Sequence, residues 1–283
     1  MPFFSIELIT RGEKTTEKTI ESVLNQTERS FEIVVCNSSE DPATAKMLKG
    51  YGIEFIQEKP ATKHLKARFT ANTLSKGDFS LLLDSTRILD REALSVIRER
   101  VRSLDMLAVK EGTIGDGFWV RQAARYKKIS ESARNVESFV DRKSSFILPR
   151  VYRGSILKNA FKSIKNNTTD DIFERISYGE HHIIFEEALK FSSNVGYYGD
   201  RELIFHFEDT KFKTIWKKYY YYGTTQIELN NLAGYSASRL SSHVRLISAG
   251  QILNEIECFP YITARIIPFA LGLIVTKLRN RFS

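Results

Sequence analysis

Apolar runs and polar turns alternate along the first third of the chain, and the spacing of the apolar residues switches between two periods. Phe3–Thr10 (FFSIELIT) has the length and content of a strand, while Thr15–Gln26 places Ile20, Val23 and Leu24 on one helical face. Phe31–Cys36 (FEIVVC) is nearly continuous and β-branched, the pattern of a parallel strand covered on both faces. Asn37–Pro42 is turn chemistry, and Ala43–Gly50 is a short helix closed by glycine. Ile53–Gln57 predicts a third strand and Leu65–Ser75 a helix; after the turn Lys76-Gly77-Asp78 comes a fourth strand, Phe79–Leu83. This β-α-β-α-β-α-β order predicts an α/β fold, a mostly parallel central sheet with helices on both faces. Ligands of such sheets bind at the carboxyl ends of the strands, where Thr10, Asn37–Asp41 and Asp84 fall.

The rest is less regular. Arg91–Leu104 predicts a helix and Met106–Lys110 a strand. Gly112–Gly117 (GTIGDG) reads as a plain loop, because it has neither the Gly-x-Gly-x-x-Gly spacing nor a Gly-Lys-Ser/Thr ending. Arg121–Val140 is expected as a helix, Ser145–Tyr152 as a strand, and Gly154–Phe161 as the start of another helix. Gly179–Phe191 is an amphipathic helix, Tyr197–Phe207 one strand, and Asp209–Tyr222 a helix rich in lysine and tyrosine. The chain is expected to divide into 1–228 and a C-terminal helical segment, 229–283.

Composition narrows the partners. With 42% hydrophobic and 27% charged residues, the 283-residue chain is globular rather than disordered. A net charge of +8 favours nucleotides, phospholipid headgroups or nucleic acid. Nucleic acid drops out, because no interleaved aromatic and basic platform is present. Cys36 and Cys258 make no disulfide framework, and MPFFSIELITRGE lacks the features of a signal peptide, so a cytoplasmic location is expected. Phe259–Thr276 (FPYITARIIPFALGLIVT) carries a single charge, Arg265, and precedes Lys277, Arg279 and Arg281. That predicts an interfacial or re-entrant anchor on an anionic membrane, peripheral at the cytoplasmic face; a packed C-terminal helix is the alternative.

Four blocks carry a family resemblance: IESVLNQTERSFEIVVCNSSED (20–41), KARFTANTLSKGDFSLLLDST (66–86), GEHHIIFEEAL (179–189) and HFEDTKFKTIWKKYYYYG (206–223). In order and spacing they resemble the family-two glycosyltransferases of the GT-A fold, over residues 3–226. The resemblance implies inverting transfer of a sugar from a nucleotide-sugar donor to a glycan or lipid-linked acceptor. Such chemistry needs groups that hold the nucleotide, positive charge on the leaving diphosphate, and a base for the acceptor proton.

Carried over, the resemblance assigns donor binding to Thr10, Asn37, Ser38, Arg68, Asp84, Ser85, Thr86, Arg87 and His206. Where relatives place an aspartate for base or ribose, this chain has Cys36. The DXD position becomes Asp84-Ser85-Thr86, a single carboxylate where relatives have two or three. Mg2+ or Mn2+ on Asp84 and His206 is one expectation; neutralisation of the leaving group by Arg87 without metal is the other. In the Gly-Glu-Asp motif His181 replaces the aspartate, so the base is His181 or Glu180. Lys218 and Tyr222, with Gly223, match the Lys-x-x-x-Tyr-Gly ending and are expected on the acceptor or phosphate side. Each position also has a purely architectural reading. Asp41 can cap the Ala43 helix, Asp84–Thr86 a helix near Asp90, and Glu180–His182 can be a first turn. Arg68 can be a solvated helix face, His206 a core residue, and Tyr219–Tyr222 ordinary packing. Missing carboxylates at Cys36, Thr86 and His181 keep a non-catalytic relative, binding a nucleotide sugar or a partner enzyme, as the competing function.

Overall fold

The four leading strands form as their apolar content dictates, and every residue of β1 (Phe4–Thr10) is buried. In this computed structural model, residues 1–132, 148–177, 179–230 and 252–282 are described. Around β1 come α1 (Thr16–Leu24), β2 (Phe31–Asn37), α2 (Pro42–Gly50), β3 (Glu54–Gln57), α3 (His64–Leu74) and β4 (Phe79–Asp84). β1 pairs in parallel with both β2 and β4, and β2 pairs in parallel with β3. The register sets Thr10 beside Asn37 and Ile9 beside Asp84, so three carboxyl ends finish level. α3 packs on β1 and β2.

Next in the chain are β5 (Arg87–Leu89), α4 (Ala93–Arg100), β6 (Met106–Val109), β7 (Glu111–Ile114) and α5 (Phe118–Ser132). They are followed by β8 (Val151–Arg153), α6 (Gly154–Asn167), α7 (Asp170–Arg175), α8 (Glu180–Ala188), β9 (Val195–Tyr198) and β10 (Ile204–Phe207). α9 (Phe212–Asn230) and α10 (Ile252–Phe282) complete the described elements. The main sheet has the order β3-β2-β1-β4-β8-β6-β9. β8 runs antiparallel to both β4 and β6, whereas β9 is parallel to β6. The expected mostly parallel α/β sheet is thus present.

Gly77 explains the turn before β4. A Cβ there would stand 2.6 Å from the Ser5 amide nitrogen and 2.7 Å from the Phe4 carbonyl carbon. Only glycine lets that turn lie against the start of β1. The core beneath it includes Phe4, Ile6, Leu8, Val35, Leu81 and Leu83, all 1% exposed or less. Each such side chain contributes about 1.5–3 kcal/mol of burial.

Several short elements depart from expectation. The Arg87–Leu89 stretch is a strand, so Asp84–Thr86 caps no helix; β7 takes the first half of the supposed Gly112–Gly117 loop. Both strands are too short to show a period. Tyr197–Phe207 is two strands, β9 and β10, separated by Gly199–Leu203. α4 is shorter than Arg91–Leu104, α7 was not anticipated, and α5 begins three residues earlier than Arg121. The expected helix beyond 132, the strand before 148 and positions 231–251 of the C-terminal segment lie outside the described residues.

The chain forms two compact units, one of residues 1–112, 147–176 and 180–206, the other of 113–146, 177–179 and 207–283. The division therefore does not fall at 228/229, because α5 and α9 group with α10. In the second unit α10 packs along α9 and α5. A Cβ on Gly223 would lie 2.0 Å from the Phe269 carbonyl oxygen, and one on Gly272 2.2 Å from that of Tyr220. Backbone touches backbone at both crossings. Pro260 and Pro268 sit inside α10 without ending it. Cys258, Tyr261, Ala264, Pro268 and Gly272 are buried, at helical spacing on one face. Phe259, Ile266, Ile267, Leu271, Ile274, Val275 and Leu278 are exposed on the rest.

Candidate active site

At the ends of β1 and β2 the polar groups expected to meet a donor are occupied with one another. The Thr10 hydroxyl bonds to Glu13 at 3.0 Å and to Thr16 at 2.9 Å, and accepts from the Gly12 amide. Asn37 donates to Gln57 at 2.8 Å and accepts from the Ser39 amide at 3.1 Å; Ser38 donates to the Thr10 carbonyl. Asp41 accepts from the Ala43 amide at 2.9 Å, so it caps α2 as its Asp-Pro sequence allows. Glu13, which no motif marked, collects the Ser85 hydroxyl, the Arg11 amide and the Thr10 hydroxyl. Burial alone would raise Glu13, yet these donors hold its carboxyl below the ordinary value. Ser85 is thereby a brace: its carbonyl also takes the Thr15 and Thr19 hydroxyls, at 2.7 and 2.9 Å.

Asp84 belongs to a different network. Its Oδ1 accepts from Arg68 Nη2 on α3, and its Oδ2 meets Arg87 Nη1 at the start of β5. Arg150 Nη1 approaches Oδ2 to 3.8 Å. Glu111, opening β7, takes Arg87 Nε at 3.3 Å on one oxygen and Arg150 Nε at 2.7 Å on the other. Neither Arg150 nor Glu111 carried a motif signal. The backbone of Arg150 is fixed by two sheet strands, since its carbonyl accepts from Leu82 and its amide donates to Leu107.

Glu180 and His181 start α8 and face the same guanidinium groups. Glu180 Oε1 lies 3.6 Å from Arg68 Nε and 3.5 Å from His181 Nε2. His181 Nε2 also contacts Arg68 Nη2 at 2.9 Å and Arg150 Nη1. A guanidinium only donates, so Nε2 accepts, and the network assigns the ring proton to Nδ1. Burial, and then the charges of Arg150, Arg68 and Arg87, keep His181 well below the usual histidine range. His181 is therefore a weak base. Arg68 is fully buried and pushed down to about 10 by that burial; it is a strut beneath the site rather than a solvated helix face. Arg87 is likewise pushed down to about 10, by burial first and then by Arg150.

A divalent cation finds a poor seat here. Mg2+ and Mn2+ take oxygen ligands, with carboxylates as the protein's share. Both oxygens of Asp84 already accept from guanidinium groups, and so do both of Glu111. Among the described residues no group of three or more His, Cys, Asp or Glu could hold a metal ion. An added unit charge at about 4 Å from one guanidinium would be repelled by about 4 kcal/mol at an effective dielectric near 20. These residues do not fit the cation that the DXD pattern implies.

The remaining candidates divide. His206 stands opposite Arg87 in the antiparallel β5–β10 ladder, next to that network. Thr86 is half-buried beside Asp84 in the chain. Lys218 and Tyr222 lie on α9 in the second unit, where Lys218 bonds to Asp209 at 3.2 Å and Tyr222 stacks edge-on with Tyr219. Gly223 serves the α9–α10 crossing.

Residues 5–135 match the model of Glycosyl transferase family 2. No curated protein sequence matches the chain. Among solved structures, S. aureus TarS 1–349 covers 100% of this chain and 92% of its own, at a TM-score of 0.56 and 16% identity. Its complex with UDP-GlcNAc covers 94% of this chain and 82% of its own, at 0.55 and 15%. The UDP complex covers 100% and 92%, also at 0.55 and 15%. At such identity the likeness is one of fold. Residues 5–135, which carry Arg68, Asp84, Arg87 and Glu111, thus resemble a glycosyl transferase family 2 domain, and the chain has a GT-A-type fold.

Proposed function

We propose that the chain transfers a sugar from a nucleotide-sugar donor to a hydroxyl or phosphate of a glycan or lipid-linked acceptor, with inversion. The observation that carries this reading is the meeting of Asp84, Arg87 and Arg150 with Glu180 and His181 at the carboxyl end of β4. The departing nucleoside diphosphate gathers negative charge, and fixed guanidinium groups stabilise it. The acceptor loses a proton as it attacks the anomeric carbon from the face opposite the diphosphate. Glu180 is the base in this reading, because the Nε2 lone pair of His181 already accepts from guanidinium donors. His181 orients the guanidinium groups and presents its Nδ1 proton; Nδ1 is buried and lacks a partner among the described residues.

The exposed apolar face of α10 supports work at a membrane surface on a lipid-linked acceptor. Among the described residues, Cys258–Arg279 is the one stretch of helix long and apolar enough to cross a membrane. Because one face packs on α9 and α5, we read it as lying in the interface.

The test is turnover of a panel of nucleotide sugars, followed as donor hydrolysis and as transfer. Glu180→Gln should bind donor normally and lose about a hundredfold or more in transfer. Binding of donor by the wild type with no turnover of any acceptor would favour the non-catalytic reading, which the absent carboxylates at Cys36, Thr86 and His181 support. No binding of any donor would end the transferase reading.

A further inference from the structure

The half-exposed part of the network is a closed ring of alternating charge. Asp84 Oδ2 meets Arg87 Nη1, Arg87 Nε reaches Glu111 at 3.3 Å, Glu111 reaches Arg150 Nε at 2.7 Å, and Arg150 Nη1 returns to Asp84 at 3.8 Å. Asp84 and Glu111 are 22% and 21% exposed, Arg87 and Arg150 13% and 10%, and Arg68 not at all. The ring thus borders solvent, and Arg68 lies beneath it. Each arginine meets the two carboxylates through its Nε and Nη1. Held at both ends, the two guanidinium planes cannot rotate freely. They are ordered before a ligand arrives, which lowers the entropic cost of binding.

We infer that Arg87 and Arg150 hold the diphosphate of the nucleotide sugar directly, in the place that a divalent cation takes at a complete DXD motif. The inference rests on the nucleotide-sugar reading above and specifies the chemistry of the same site. Guanidinium forks match the spacing of phosphate oxygens, and they are more weakly hydrated than ammonium groups. The incoming diphosphate competes with Asp84 and Glu111 for the same donors, so these carboxylates act as placeholders for the anion. Arg68 is a positioning residue: it fixes Asp84 Oδ1 from below, and its Nε and Nη1 make no hydrogen bond to any described residue. Loss of the closing DXD carboxylate at Thr86 and the presence of Arg87 then form one change. The position has exchanged a cation's ligand for a cation of its own.

The test uses the full chain stripped with EDTA, and nucleoside diphosphate and monophosphate pairs of uridine, guanosine, cytidine and adenosine as probes. Affinities are measured by calorimetry in EDTA and again with Mn2+ or Mg2+. The expected result is that, for the preferred base, the diphosphate binds about tenfold or more tightly than the monophosphate in EDTA. Adding metal should leave that ratio within about twofold. Arg87→Gln should bring the ratio close to one and leave monophosphate affinity unchanged, which also shows that the variant is folded. If Arg87→Gln does not fold, Arg87→Lys, which keeps the charge and loses the fork, should lower the ratio. A ratio near one in EDTA that rises with Mn2+ would overturn the arginine clamp and leave the transferase intact. Absence of binding to every probe, with or without metal, would remove the nucleotide-donor reading and the clamp together.

Discussion

Arg68, with no exposed surface, donates through Nη2 to Oδ1 of the half-buried Asp84. A buried cation without its carboxylate is expensive, so the pair links stability to function. Asp84→Ala should lower unfolding free energy by about 3 kcal/mol, the lower end for breaking a buried pair, because Asp84 keeps some solvent contact. It should also abolish transfer by releasing Arg87. Urea unfolding and donor turnover on the same preparation measure both effects. Wild-type turnover in Asp84→Ala would place the active site elsewhere.

His181 gives the protein a pH dependence of predictable sign. Its neighbours are Arg68, Arg87, Arg150 and His182 on the positive side and Glu180 on the negative. The folded value lies well below 6.5 and the unfolded value near it, so between the two the unfolded chain binds the proton and the folded chain does not. Stability from this residue is complete above about pH 6.5 and is lost as the pH falls, at no more than about 1.4 kcal/mol per unit. Denaturant unfolding at pH 8 and pH 5.5 should therefore show the wild type losing about 1 kcal/mol more than His181→Gln. Equal losses would mean that the folded protein takes up the His181 proton as readily as the unfolded chain, and that its surroundings do not disfavour the charged ring.

Much of this was legible before the structure, and the exceptions have physical causes. β1, β2 and β4 have seven, seven and six residues and are largely buried, so their apolar runs declare them, and Asp84 followed from strand position. β5 and β7 have three and four residues, which is less than two alternations, so pattern could not separate them from loops. Arg150 reaches the site through backbone held by β4 and β6, and Glu111 from β7, which pairs with β10 in a second sheet, a long-range arrangement that no local spacing encodes. Asn37, Ser38 and Ser85 are bonded within the chain. A hydroxyl or amide at a strand end signals polarity, and whether a ligand or the chain itself satisfies it is settled by neighbours such as Glu13 and Gln57.

The Tyr-Gly pair at 222–223 illustrates a motif residue with a packing task. Gly223→Ala would put a methyl group 2.0 Å from the Phe269 carbonyl oxygen and 3.0 Å from the Leu273 amide nitrogen, both fixed in a helix. The helices must separate, at about 2–3 kcal/mol. Gly50→Ala, at the exposed end of α2 with nothing within 4 Å, should instead stabilise by about 0.5–1 kcal/mol. Thermal unfolding of the two variants should move in opposite directions. A neutral Gly223→Ala would show that α9 and α10 are not in backbone contact.

Arg265 is the single charge within Phe259–Thr276. Its guanidinium lies over the rings of Tyr126, Tyr219 and Tyr261, at 4.6, 4.7 and 5.3 Å from their centroids. The charge is thus held among aromatic rings of the second unit. The face that Ile267, Leu271, Ile274 and Leu278 present is uncharged, with exposed Lys277 and Arg279 at its end. Such a face should sediment with vesicles containing phosphatidylglycerol, and the lysine and arginine share of binding should fade with salt. Ile274→Asp removes an exposed apolar group and adds a like charge to the lipid, so binding should fall more than tenfold while the melting temperature stays unchanged. Lys277→Gln should weaken it only about fivefold, and only at low salt. If Ile274→Asp sediments as the wild type does, the apolar face of α10 does not meet lipid, and the lipid-linked acceptor loses its support.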